Sequence, residues 1–472
     1  MVESELNIEE AGDNSSVVVP VENLRNTHLA TVSALLFIVV MGMVTSYSAP
    51  ATVDMRAEGS RLRDITSDEI TWIASLPLFS GIIGNTVSGY ATHKLGRKAV
   101  LMLVSVTYVL SWLVIAYAPT VSVVYIGRLL SGFCQGMCSV TIPAYIVEIA
   151  PPAIRGLLSS GFQVAFSFGV LVVMSLGTVL RWSWLAVAGA VIVTLGSFLM
   201  LFMPESPPWL IRESRTAEAM RGLRFLKGPK ADTKKAFSDI SASLAFQEVG
   251  KFTIRQLRES SFYKPVSIAV SLMFFQQFSG INPLMSYTVD IFQDTGTSIQ
   301  PKYASIVVAV VQVAGTVITS FLMDRTGRRL LFTTSSFFMS VGLMSLGVYQ
   351  YMASKNQVDI DSYGWIPLAS FVVYIFAFSL GVGPIPFVMT PEISPLRSRS
   401  LIMAIASLFN SLFGFGVTKV FNDMRNLIGL YGLYWTYCFF SFASALFGFF
   451  LLPETKGMSL HEIQRSLSVS RS

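Results

Sequence analysis

Charge is scarce in this 472-residue chain: Asp, Glu, Lys and Arg make up 13% of it, against 52% hydrophobic residues. A water-soluble chain carries about 25% charged residues, so a surface facing only water is excluded. Cysteine is nearly absent. Cys134, Cys138 and Cys438 all sit inside apolar tracts, leaving no loop thiol for a disulfide. Cys134 and Cys138 have i,i+4 spacing but no His or carboxylate on that face, so packing explains them better than metal. The three histidines, His28, His93 and His461, lie at or beyond tract ends, which excludes a His-based metal site or a mid-span relay. The Gly-x4-Gly-Lys-Ser/Thr loop is missing, which argues against an ATP-driven pump. No cofactor is implied. Residues 1–24 lack a basic, then apolar, start and carry Glu3, Glu5, Glu9, Glu10 and Asp13 instead, so a tail rather than a secretory signal is expected there.

What the chain does have is long apolar runs. A helix needs about 20 apolar residues to cross a bilayer. Tracts of that size fall at about 28–50, 70–92, 99–118, 123–149, 157–180, 183–203, 265–293, 303–323, 330–352, 364–389, 401–422 and 430–452. Their length and lack of period-2 alternation predict helices. Pro143 and Pro283 are candidate breaks. Lys94, Arg97 and Lys98 follow the second tract, Arg325, Arg328 and Arg329 the eighth, and many more, including Arg212, Arg215, Arg221, Arg224, Lys227, Lys234 and Lys235, occupy the loop after the sixth. Basic loops stay in the cytoplasm. An even span count then places both termini there. The net charge of +6 is read as orientation in the bilayer, not as nucleic-acid binding. The expected segments are a tail 1–27, a bundle 28–203, a cytoplasmic linker 204–264, a bundle 265–452 and a tail 453–472. Within the linker, Thr216 to Leu226 is amphipathic, and Leu223, Phe225 and Leu226 need a surface to cover them.

Three landmarks occur twice in the same order. Gly96-Arg97-Lys98 matches Gly327-Arg328-Arg329, Glu148 to Arg155 matches Glu392 to Arg399, and Pro204-Glu205-Ser206 matches Pro453-Glu454-Thr455. Each copy is six tracts on, so the halves repeat in parallel, and a binding site is expected between them. With Gln276-Gln277-Phe278-Ser279-Gly280-Ile281-Asn282, Asp324-Arg325-Thr326-Gly327 and Gly383-Pro384-Ile385-Pro386, the chain resembles the sugar porters of the major facilitator superfamily. Thr45 to Pro50 is similar to the insect branch that includes facilitated trehalose transporters. The resemblance implies an all-α integral membrane protein of twelve transmembrane helices in two six-helix halves with a cytoplasmic helical linker. It also implies residence in the plasma membrane.

Gln276, Gln277 and Asn282 cluster in the seventh tract, where buried amides need partners. An amide both donates and accepts, which suits a neutral polyol. Interhelical bonding is the alternative for all three. The resemblance adds Gln163, Gln312 and Asn410 to the site, with Phe378 and Phe387 as apolar walls, and places Ser286 and Tyr287 at the outer gate. For Gln312 and Asn410, interhelical bonding stands equally open, as core packing does for the two Phe. Relatives usually carry larger aromatics at Phe387, Ser411 and Ser286, so a roomier cavity is implied. Arg128 is the one mid-depth charge.

Arg97, Glu148, Arg155, Glu205, Asp324, Arg328, Glu392, Arg399 and Glu454 lie near the cytoplasmic ends of tracts. They are expected to form a two-state gate by pairing between helices and halves. No tract carries a mid-span carboxylate for proton coupling. The sequence therefore predicts facilitated uniport of a neutral sugar, with no enzymatic chemistry and no obligate protein partner. A proton-coupled symporter and a non-transporting sugar receptor are the alternatives.

Overall fold

A computed structural model describes residues 24–458 except 152–153, 229–231, 249–259, 298, 356–362, 396–397 and 457. The fold is all α. In the N-terminal half the helices are α1 (Arg25–Ser46), α2 (Ser48–Met55), α3 (Ser67–Leu95), α4 (Arg97–Ala116), α5 (Val121–Ile149), α6 (Arg155–Leu176) and α7 (Trp182–Leu201). The linker holds α8 (Pro207–Arg212), α9 (Thr216–Lys227) and α10 (Thr233–Glu248). The C-terminal half holds α11 (Ser260–Phe278), α12 (Ile281–Ser286), α13 (Thr288–Thr295), α14 (Pro301–Thr326), α15 (Arg328–Ser354), α16 (Ile366–Leu380), α17 (Ile385–Ile393), α18 (Arg399–Lys419) and α19 (Phe421–Phe450).

Among the described residues, eleven helical segments are long and apolar enough to cross a membrane. Many large apolar side chains point outward from them, including Phe321, Phe439 and Phe450. Such a belt would be untenable in water and is ordinary in lipid. The chain is a multi-pass membrane protein. Pro143 does not interrupt α5. The seventh tract is divided into α11, α12 and α13, and the first break falls at Gly280 rather than Pro283. The tenth tract is divided at Gly381–Pro384, and α19 is bent at Gly429.

Lipid gives no hydrophobic drive between helices, so close backbone approach must supply the packing. Glycines make that approach possible between α3 and α5: a Cβ on Gly136 would lie 2.3 Å from the Gly81 oxygen. The halves meet along α3 with α18 and along α6 with α14. The amphipathic α9 buries Leu223 and Leu226 as its sequence requires. Its C-terminal carbonyls are used by α1: Asn26 Nδ2 donates to Phe225 O at 2.7 Å and Thr27 Oγ1 to Leu226 O at 3.2 Å.

The repeat appears in three dimensions as two matching corners. Gly96 has φ of 94° and Gly327 has φ of 91°, conformations open to glycine. Each corner begins a helix whose first N–H groups lack intrahelical partners. Glu205 fills that need for α4, accepting from Arg97 N at 2.9 Å, Lys98 N at 3.0 Å and Ala99 N at 3.3 Å. Glu454 does the same for α15, accepting from Arg328 N at 3.0 Å and Arg329 N at 3.1 Å.

Candidate functional site

The amide cluster is built on two helix breaks. Gly280 takes φ of 86°, and a Cβ there would lie 2.4 Å from the Tyr437 ring, so α11 ends just after Gln276 and Gln277. The Gly381–Pro384 break frees the carbonyls of Val382 and Gly383 opposite them. Gln276 Nε2 donates to both, at 3.0 and 2.8 Å, and its Oε1 accepts from Asn410 Nδ2 at 2.7 Å. Both amide hydrogens of Gln276 are thereby committed to joining α11 to the break before α17. Asn282 Nδ2 donates to Gln277 Oε1 at 2.5 Å. That leaves Gln277 Nε2 and Asn282 Oδ1 without a hydrogen bond among the described residues.

The structure thus brings Gln276, Gln277, Asn282 and Asn410 together. Gln163 and Gln312 stand on the packed pair α6 and α14. Gln163 is half-buried and its amide makes no hydrogen bond among the described residues; Gln312 is buried with Oε1 unpartnered. Phe378 is buried in the core, whereas Phe387 is 45% exposed. Tyr287 stacks on Phe421 with ring centroids 4.6 Å apart, and Ser286 Oγ lies 3.5 Å from Thr45 O.

Around Arg128, the one tract charge that the sequence singled out, runs a polar strip on the N-terminal half whose other members sequence reading missed. Arg128 is fully buried; Nε donates to Ile73 O at 2.9 Å and Nη1 to Val44 O at 2.8 Å. Gln135 Nε2 donates to Thr45 Oγ1 at 3.1 Å. Ser139 Oγ donates to Asn85 Oδ1 at 2.6 Å, and Asn85 Nδ2 reaches across to Ser411 Oγ at 3.1 Å. The only sequence signal for the strip was polarity at i,i+4 and i,i+7 within a small-residue tract.

The two ends of the bundle differ. At the end carrying the basic loops, Arg97 Nη2 meets Glu148 Oε1 at 2.6 Å, and Arg328 Nη2 meets Glu392 Oε1 at 3.2 Å. Ser206 donates to Glu148, and Thr455 Oγ1 donates to Glu392 at 2.6 Å. None of the four bonds joins one half to the other; Ser206 follows α7 and Thr455 follows α19. Arg399 makes no hydrogen bond or ion pair among the described residues, and the side chains of Arg155 and Asp324 lie outside the described set. In this conformation Arg97–Glu148 and Arg328–Glu392 join helices within each half, which is the interhelix part of the expected gate pairing. The reason is geometric: both carboxylates are drawn to the arginine at the glycine corner of their own half. At the opposite end, bonds do cross. Arg56 pairs with Asp290, Lys419 Nζ meets Asp68 Oδ1 at 2.7 Å, and Asn422 Nδ2 donates to Thr71 Oγ1 at 2.6 Å. The ion pairs that latch one half to the other, among the described residues, lie at that end, and Asn85–Ser411 crosses between the two ends.

Two helix breaks with an amide cluster beside them, and a latch across the halves at one end, are set in a helical membrane bundle, the architecture of a carrier of small polar solutes. A sequence profile described as "Sugar (and other) transporter" matches residues 27–467, and the chain belongs to this family. It is 35% identical over 441 residues to the facilitated trehalose transporter Tret1 of Polypedilum vanderplanki, covering 93% of this chain and 87% of that protein. It is also 35% identical to Tret1 of Drosophila willistoni, again over 93% of this chain but about half, 51%, of that longer protein. Among solved structures it resembles the inward-open xylose transporter XylE from E. coli, with a TM-score of 0.78, 26% identity and coverage of 93% and 99%. XylE bound to 6-bromo-6-deoxy-D-glucose, a proton:xylose symporter, gives a TM-score of 0.76 at 25% identity, with coverage of 94% and 99%.

Proposed function

We propose that the chain carries a neutral sugar, trehalose or a hexose such as glucose, across the plasma membrane by facilitated, alternating-access uniport. The observation that carries this reading is Arg128. Its guanidinium is fully buried, yet its hydrogen bonds go to backbone carbonyls of α1 and α3 and none to a carboxylate. A proton-coupled carrier needs a titratable acid on its path, and neither α1 nor the amide cluster supplies one. The sugar is held by Gln277, Asn282, Gln163 and Gln312, whose open amides match hydroxyls that donate and accept. Gln276 and Asn410 hold the broken helices in place beside it, and Phe378 and Phe387 wall the path.

In this reading α11, α12 and α13 together make one further span, the seventh in order, which brings the eleven to twelve. Residues 28–203 and 265–452 form two six-helix halves joined by the linker 204–264, with tails 1–27 and 453–472 in the cytoplasm. The basic end then faces the cytoplasm, and the latched end, with Ser286 and Tyr287, is the closed outer gate. The proton-symport alternative draws support from the likeness to a proton:xylose symporter.

Zero-trans uptake of labelled glucose and trehalose into proteoliposomes, with and without a pH gradient, tests the reading. Saturable flux that stops at equal concentrations and ignores the gradient is the expected result. Gradient-driven accumulation overturns uniport in favour of symport. Binding without flux favours the receptor.

A further inference from the structure

The narrow cleft between the halves is lined by Thr45 and Pro77, by Arg128 and Gln135 of α5, and by Asn282 and Ser286 of α12. Its free volume is about 10 Å³, close to the least that holds one water-sized group. Two buried polar atoms of α5, Gln135 Oε1 and Arg128 Nη2, have no partner among the described residues. They differ from the rest of the polar strip, where Asn85 and Ser139 are bonded to each other and Asn85 also to Ser411.

The orientation of the Gln135 amide is fixed by its neighbour. Thr45 Oγ1 donates its proton to Met41 O at 3.1 Å, so toward Gln135 it can only accept. It accepts from Gln135 Nε2 at 3.1 Å. The NH₂ group is therefore the end that is anchored, and the carbonyl oxygen is the end turned to the cleft. An unmet buried polar atom is costly, so the bare acceptor of Gln135 is a place where a bound donor gains a hydrogen bond. The cleft thus offers one acceptor and one donor in the space of a single small group. A hydroxyl both donates and accepts. A carboxylate would meet the guanidinium but would face the amide oxygen with no proton to give.

We infer that Gln135 is the N-terminal half's specificity-determining residue, accepting a hydrogen bond from one sugar hydroxyl that enters the cleft opposite Asn282. This assignment rests on the sugar-transport reading above. It places the sugar between the halves rather than on the C-terminal half alone, so that the substrate itself bridges α5 and α12.

The test uses the full-length carrier in proteoliposomes, with glucose, trehalose and the mono-deoxy glucoses as substrates. Gln135→Met keeps length and volume and removes the acceptor. It should raise KM about tenfold or more with little change in kcat, since one hydrogen bond to a bound hydroxyl is lost. It should also abolish the wild-type discrimination against one particular deoxyglucose while leaving the others penalised as before. Gln135→Asn, which keeps the amide but draws it back by one methylene, should fall between the two. If Gln135→Met does not fold, the Asn variant decides: an unchanged KM overturns the assignment. A Met carrier with wild-type KM and an intact deoxy profile overturns it equally. Absence of sugar flux in the wild-type carrier removes the transport reading itself, and the assignment falls with it.

Discussion

The two ends of the bundle use the same residue types to opposite purpose. At the basic end, Arg97, Glu148 and Glu205 form a closed set within the N-terminal half, and Arg328, Glu392 and Glu454 repeat it in the C-terminal half. At the other end, Arg56 with Asp290 and Lys419 with Asp68 tie one half to the other. A bond within a half survives any rigid motion of that half. A bond between halves is made in one state and broken in the other. The first kind maintains the fold, whereas the second biases a conformational equilibrium. Charge position along the sequence does not distinguish these uses.

The comparison predicts two classes of mutant, and the fold-maintaining class should show the larger effects. Gly96→Ala and Gly327→Ala force a side chain into a glycine-only conformation, which costs about 1–3 kcal/mol. They also push a Cβ to 2.5 and 2.6 Å from the carboxylates of Glu205 and Glu454, displacing the groups that cap α4 and α15. Losing such a cap costs about 1 kcal/mol more. Both variants should melt several degrees lower in detergent, by similar amounts. A large effect in one half and none in the other would mean that the corners are not equivalent.

Next in size is the cap itself. Glu454 is buried enough that desolvation alone would raise its pKa, but backbone N–H groups of Lys456, Arg328, Arg329 and Thr455 outweigh this and hold it below the ordinary carboxylate range. A group whose folded pKa is depressed contributes stability above its unfolded pKa and loses it as pH falls through the folded value. The melting temperature should therefore drop on acidification below about pH 4.3, the unfolded Glu value. Glu454→Gln should start lower at pH 7 and lose part of that acid dependence. An identical pH profile in the two proteins would remove Glu454 from the capping role.

These corners also show how far the sequence could be read. The repeated Gly-Arg, Glu-x6-Arg and Pro-Glu landmarks led to the two matching glycine corners, and the apolar tracts led to the eleven long apolar helical segments among the described residues, because both are local patterns of residue type. The partners were not legible. Glu205 lies 108 residues from Arg97, whose backbone N–H it accepts, and nothing local marks a gate-like carboxylate as a helix cap. Gln276 read as a sugar ligand because its type suits one. Only the placement of the Gly381–Pro384 break beside it shows that its hydrogens are already spent on backbone carbonyls. Gln135 escaped notice because its spacing to Arg128 and Ser139 is a weak signal by itself, and only the fold sets it against Thr45 and the cleft.

The cross-half bonds should give smaller effects on stability and visible ones on state. Arg56→Gln removes an ion pair with one partner well buried and the other 40% exposed, worth on the order of 1 kcal/mol. That shifts a two-state ratio about fivefold. The three native cysteines are buried, so Ser286→Cys makes a clean reporter for an impermeant thiol reagent added at the latched end. Labelling of Ser286→Cys should accelerate about fivefold in the Arg56→Gln background, with the melting temperature nearly unchanged. A lowered melting temperature without faster labelling would place this pair with the fold-maintaining class.

The smallest effect belongs to Lys419 and Asp68. Asp68 is 73% exposed, and exposed pairs contribute about 0–1 kcal/mol and are screened by salt. Lys419 has a second partner, however, with its ammonium 4.2 Å from the centre of the Trp72 ring. Trp72 belongs to the same half as Asp68, so both contacts cross from α18 to α3. The cation–π contact is less sensitive to salt than the ion pair, since the ring carries no net charge to screen. Asp68→Asn should therefore speed labelling of Ser286→Cys by less than twofold, and only at low salt. Lys419→Met, which loses both contacts, should keep a residual acceleration at high salt. Identical salt dependence in the two variants would mean that the indole contributes nothing to the latch and that the ion pair alone carries the crossing at this position.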